Sequence, residues 1–112
     1  LKVIEFFIEK IGDNEFNLKY KNKDFSRSFT SFFYRNLEKV EELEKNLNEE
    51  ENLKKYNVTL ELIGEEIRFF LIPDKIKEEI EKIFREADKN NEKVVLKINS
   101  DNPEIHDFPF EL

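Results

Sequence analysis

The chain contains no cysteine, methionine or tryptophan, only two glycines and three prolines, and a single histidine among its 112 residues. Without cysteine there is no disulfide, no thiolate metal site and no cysteine nucleophile, which fits a reducing, cytoplasmic setting. With Gly12 and Gly64 isolated from each other, no glycine-rich loop exists to cradle a phosphate. The longest apolar stretch, Phe69–Pro73, is far too short to cross a bilayer, and no secretory signal opens the sequence. Position 1 is Leu where an open reading frame begins with Met, so a processed, trimmed or excised part of a longer protein is expected.

What is present is charge and phenylalanine. Charged residues make up 40% of the chain, yet 12 residues are Phe and 38% are hydrophobic, enough for one modest core. The net charge is −7, which disfavours nucleic acid as a partner because phosphate would be repelled. The charge is uneven: residues 1–35 hold seven basic and five acidic groups, a net +2, which leaves −9 for the rest. Lys19, Lys21, Lys23, Arg27 and Arg35 read as a solvated strand face.

The fold class expected is α+β, an antiparallel meander followed by three helices and a further strand. Leu1–Ile11 sets Ile4, Phe6 and Ile8 on one face and Val3 and Phe7 on the other, as in a central strand. After a turn at Gly12-Asp13-Asn14, Glu15–Lys21 alternates, with Phe16, Leu18 and Tyr20 on its inner face. A second turn at Asn22-Lys23-Asp24 leads into Phe25–Phe33, where Phe25 and Phe29 face in.

Helical spacing then replaces alternation. Asn36 is a candidate cap for a helix bearing Leu37, Val40, Leu43 and Leu47, with a frayed end over 46–52. Asn57 is a candidate cap for a second, striped by Leu60, Ile63, Ile67, Phe70 and Leu71. Within it Gly64 costs roughly 1 kcal/mol relative to Ala, so a close contact is expected there. Pro73 stops that helix, and Asp74 is a candidate cap for a third, with Ile76, Ile80, Ile83, Phe84 and Ala87 inward. A turn at Asn90-Asn91 precedes a strand, Glu92–Asn99, whose Val94, Leu96 and Ile98 face the core. No repeat, flexible linker or domain boundary is visible, so the chain reads as one domain or fragment: meander over 1–35, helices over 36–89, strand and junction over 92–112.

A search for chemistry finds little. His106 has Ser100, Asp101 and Asp107 near it in sequence, but a polar loop has such neighbours by composition, and His106 reads as a loop histidine. No His or carboxylate spacing matches a metal site; Glu49-Glu50-Glu51 reads as a solvated acidic turn. The pairs Glu38/Glu42 and Glu61/Glu65 sit among lysines as helix surface. No catalytic, cofactor-binding or metal-binding residue is assigned.

The second half carries an ordered set of motifs. Leu62-Ile63-Gly64-Glu65-Glu66-Ile67 runs through Phe70-Leu71-Ile72-Pro73 to the Ile76–Phe84 helix and the strand Val94-Val95-Leu96-Lys97-Ile98. Asp101-Asn102-Pro103-Glu104-Ile105 and Phe108-Pro109-Phe110-Glu111-Leu112 complete it. This order resembles the N-terminal region of CHAT domains, caspase-like cysteine peptidases often joined to tetratricopeptide repeats. In that family a "D–x–P–E–L" loop precedes "L–P–W–E–L–L". Pro109, Glu111 and Leu112 match, while Phe108 replaces Leu and Phe110 replaces Trp. The likeness is good over 57–112 and loose over 1–56.

The resemblance implies a non-catalytic structural or regulatory portion of a bacterial peptidase, with defence or cell death as the family's setting. The family's His and Cys lie beyond the "P–W–E–L" segment, so neither transfers to this chain. The implied partner is a downstream caspase-like sheet of the same parent, with Phe108, Pro109, Phe110, Glu111 and Leu112 as an apolar junction; tetratricopeptide repeats or another protein could also dock. No membrane or nucleic-acid partner is implied. Two alternatives stand beside this reading. One is an independent protein-interaction module docking through its edge strand or its Leu37–Leu47 helix. The other is a small enzyme using carboxylates alone, which no pair of residues supports.

Overall fold

The computed structural model describes residues 1–101. His106 and the junction Phe108–Leu112 lie outside the described residues. The architecture is α+β: a four-stranded mixed sheet and three helices. The chain divides into two compact units, residues 1–28 with 71–101, and residues 29–70.

In the first unit, strong alternation makes three consecutive strands. They are β1 (Lys2–Gly12), β2 (Glu15–Tyr20) and β3 (Lys23–Arg27). β1 and β2 pair antiparallel, with Phe6 opposite Tyr20 and Ile8 opposite Leu18; β2 and β3 pair likewise, with Leu18 opposite Phe25. The register shifts between Lys10 and Gly12, as at a bulge. Asn14 and Lys21 take the left-handed backbone conformation in the two turns, at φ 52° and 54°. The second turn therefore falls at Lys21-Asn22, and β3 starts at Lys23, two residues before the expected Phe25. Asn adopts this conformation readily; Lys21 carries a mild backbone cost.

The fourth strand, β4 (Val94–Asn99), pairs parallel to β1, with Lys2 opposite Val94 and Phe6 opposite Ile98. The sheet order is β3-β2-β1-β4, so β1 is internal, as its two apolar faces suggested. Ile4, Phe6, Ile8, Phe16, Leu18 and Tyr20 are buried on one face.

Helix α3 (Asp74–Lys89) belongs to the same unit and buries Ile76, Ile80 and Ala87. The Tyr20 hydroxyl donates to Glu79 Oε1 at 3.4 Å and Lys21 pairs with the same carboxylate, which ties α3 to the inner face of the sheet. Asp74 is the first helical residue, and the cap position is Pro73, which offers no side-chain hydrogen bond. Phe84, expected inward, is 43% exposed.

The second unit holds α1 (Ser31–Glu44) and most of α2 (Glu50–Leu71). α1 starts five residues before Asn36. Its cap is Thr30, whose Oγ1 accepts from the Phe33 amide at 3.1 Å. Glu66 of α2 accepts from the Thr30 amide at 3.1 Å and from its hydroxyl. Asn36 lies inside the helix and is buried. Phe29 is stacked on Phe33 at 4.1 Å and on Phe70 at 4.2 Å between ring centroids. It belongs to no strand; it is an aromatic anchor at the entry to α1.

α2 begins at Glu50, so Asn57 is an interior helical residue rather than a cap. The ion pairs Glu50–Lys54 (3.8 Å) and Glu51–Lys55 (3.5 Å) support this polar first turn. The buried stripe runs through Thr59, Ile63, Ile67 and Phe70, with Leu60 half-exposed. Thr59 is tolerated there because its hydroxyl donates to the Lys55 carbonyl at 2.7 Å. A Cβ at Gly64 would meet nothing within 4 Å, so the expected close contact at this glycine is absent.

Candidate interaction surface

Three features of the first unit bear on function. The most reactive-looking is the group Tyr20, Lys21 and Glu79. Burial raises the Tyr20 phenol, with Glu79 adding to the effect. The hydrogen bond to Glu79 raises the Lys21 ammonium, and the reciprocal bond from Lys21 lowers the Glu79 carboxyl. Each direction locks in the resting protonation state. A nucleophile or general base needs the reverse, a lowered Lys or Tyr or a raised Glu. This group is a structural tie. Among the described residues, no three His, Cys, Asp or Glu side chains converge to hold a metal ion.

The second feature is the outer face of the sheet. Period-two alternation sends Val3, Glu5, Phe7 and Ile11 of β1 to the face opposite the buried one. Val3 is 56%, Phe7 48% and Ile11 60% exposed, and Val95 on β4 is 43% exposed beside Val3. Between these apolar residues Glu5 accepts from Asn99 Nδ2 at 2.9 Å and pairs with Lys97 at 3.4 Å. Asn17 donates to Asp24 at 3.0 Å on the β2–β3 side. A depression of about 970 Å³ at the end of this face is lined by Phe7, Lys10, Asn17, Lys19, Asn99 and Asp101. A half-apolar, half-polar sheet face of this kind suits packing against more polypeptide better than it suits bulk water.

The third feature is the β4 edge. Lys2 N donates to the Lys93 carbonyl at 2.9 Å, so the main-chain groups of 93, 95 and 97 face β1. Those of Val94, Leu96 and Ile98 then point away from the sheet, along its edge. The side chains of these three residues are on the α3 side and only partly buried. Alongside runs a shallow groove of about 470 Å³, bordered by Phe84, Arg85 and Asp88 of α3 and by Glu92 and Val94. Sequence reasoning found the strand and its inner face but not its edge position, which depends on a pairing with residues at the other end of the chain.

The basic residues of the opening segment do not gather. Lys19 is on the outer face opposite Asp24, Lys21 is paired with Glu79, and Asp74 faces the partly buried Arg27. Arg35 stands over the Phe32 ring at 5.9 Å in the second unit. No helix among the described residues is long and apolar enough to cross a membrane. No protein-family model, curated protein or solved structure matches the chain.

Proposed function

We propose that this chain is a non-catalytic packing and regulatory segment, the N-terminal portion of a CHAT-type, caspase-like cysteine peptidase of the cytoplasm. The single observation that carries the reading is the outer sheet face, where Val3, Phe7, Ile11 and Val95 are left substantially exposed on a four-stranded sheet. A caspase-like sheet or its connecting segments would cover these residues in the parent protein, with Phe108–Leu112 leading into it. Further support comes from the α2–Pro73–α3–β4 order, which follows the motif order of the family. The Tyr20–Lys21–Glu79 group reads as a tie between β2 and α3 rather than as a source of chemistry. Bacterial defence or cell-death signalling is the setting the family suggests.

The test is the reading frame through the Leu112 codon and the activity of its full product. A His and then a Cys within the following few hundred residues are expected, with cleavage of a protein substrate lost when that Cys is changed to Ala. A frame without such a pair overturns the peptidase reading. It would leave the second reading, an independent protein-interaction module, favoured by the outer position of β4 among the described strands. A sharp cooperative unfolding of the isolated 112-residue chain as a monomer would support the module.

A further inference from the structure

We infer that the β4 edge is a strand-addition site for an extended, acidic–apolar segment of a separate protein. The inference rests on the reading of the chain as a non-catalytic interaction segment and names the strand, the side and the chemistry of the partner.

Three observations carry it. First, among the described residues the β4 edge carries fewer of the devices that protect sheet edges than the β3 edge does. Those devices are edge charges, lysine above all, inward charges, proline, bulges, very short strands and a covering helix or loop. β4 reads Val-Val-Leu-Lys-Ile-Asn, with Lys97 as its single charge and a regular register along β1. The opposite edge, β3, is shorter and carries Lys23, Asp24 and Arg27 in five residues. The two edges of one sheet are therefore treated differently, and β4 is the one left receptive.

Second, the receptive edge has a groove beside it. A fifth strand paired to Val94, Leu96 and Ile98 would place alternate side chains on the α3 side. There the half-exposed Phe84 and the partly buried Val94 and Leu96 offer apolar contact. Main-chain pairing supplies affinity in strand addition, and such a row supplies selectivity through every second side chain.

Third, charge selects the occupant. The intervening positions of the added strand fall on the outer face beside the row Lys93, Val95, Lys97 and Asn99, which contains no acid. Glu5 approaches Lys97 from the β1 side, and an ammonium with three donors can serve a second carboxylate from the edge side. Opposite charges in cross-strand positions are favoured and like charges are not. A second copy of this chain would bring the same two lysines and no carboxylate to the row. Self-pairing is therefore the poorer match.

The test uses the full 112-residue chain and two fluorescent eight-residue peptides, one alternating Val with Glu and one alternating Val with Lys. Anisotropy reads binding, and amide hydrogen exchange reads the location. The expected result is binding of the Glu peptide at least about tenfold tighter than the Lys peptide. Slowed exchange is expected at Val94, Leu96 and Ile98 and not along β3. Phe84→Ala should weaken the Glu peptide severalfold, and the Lys93→Glu, Lys97→Glu double variant should reverse the preference. Circular dichroism of each variant establishes that it is folded. Lys23→Glu, on the opposite β3 edge, should leave binding unchanged. Four outcomes overturn the inference: no binding of either peptide, protection only along β3, loss of binding with Lys23→Glu but not Phe84→Ala, or concentration-dependent dimerisation that protects the same β4 amides. The His–Cys content of the reading frame decides the peptidase reading separately, so either can fail without the other.

Discussion

The sheet-bearing unit and the helical unit of this protein are stabilised by different logic. In the first, each strand declares itself by alternation, and six large side chains of β1 and β2 meet on one buried face. In the second, two highly charged helices depend on a few aromatic and aliphatic residues and on the quality of their ends. Phe29 stacked between Phe33 and Phe70, and Thr30 held by Glu66, do for the helices what cross-strand pairs do for the sheet. Local pattern therefore suffices for one unit, whereas specific terminal contacts define the other.

The largest effect should come from truncating the two cores. Phe6→Ala, at a fully buried position of the sheet, should cost about 3–5 kcal/mol, and Phe70→Ala about as much in the helical unit. Hydrogen exchange followed at β1–β2 amides and at α1–α2 amides reads each unit separately. A sheet variant that loosened only α1 and α2 would break the contrast.

Next in size is Thr30→Ala. It removes the cap of α1 and the hydroxyl contact to Glu66, at a cost of about 1–2 kcal/mol measured by urea unfolding. A change near zero would return the start of α1 toward Asn36. Smaller and opposite in sign is Gly64→Ala, which should stabilise by about 0.5–1 kcal/mol, because a methyl group there meets open space in a helix interior. A loss of stability would restore the close contact that a helical glycine first suggests.

The smallest effect belongs to the tie between β2 and α3. Lys21 lowers the folded-state pKa of the exposed Glu79 carboxyl. The stability linked to that shift is present above the ordinary Glu pKa and lost as pH falls through the lowered folded value. Glu79→Gln should therefore be slightly less stable than the native chain at neutral pH and match it once both are in acid. Chemical denaturation at several pH values checks this; a gap that persists or grows in acid would deny the linkage.

The same contrast explains what could be read in the residues. β1 and β2 were legible because Ile4, Phe6 and Ile8, then Phe16, Leu18 and Tyr20, recur with period two. The start of α1 was not, because Phe29, Phe32 and Phe33 are strand formers by propensity, and only the Thr30 cap with its distant Glu66 partner turns the chain. The first turns of α2 were hidden by acidic and amide residues that resemble a loop until the Glu50–Lys54 and Glu51–Lys55 pairs are counted. Helical spacing points Phe84 inward, yet it lies at the rim of the groove beside β4. The candidate surface was the least legible part. Whether β4 lies inside or outside the sheet is decided by its parallel match to Lys2–Phe7, a relation that no window of sequence contains. The apolar junction at Phe108–Leu112 lies outside the described residues.

The parallel pairing of β1 with β4 also sets a timetable for biosynthesis. Lys2 of β1 pairs with Val94 of β4 far along the chain, so the second neighbour of β1 is made long after the first. At cellular elongation rates the ribosome needs roughly 5–20 s to cover that distance. For that interval the nascent hairpin of β1 and β2 has one strand flank open. Loop-closure entropy makes the final pairing the slow one. Until β4 is made, that flank of β1 remains an open sheet edge.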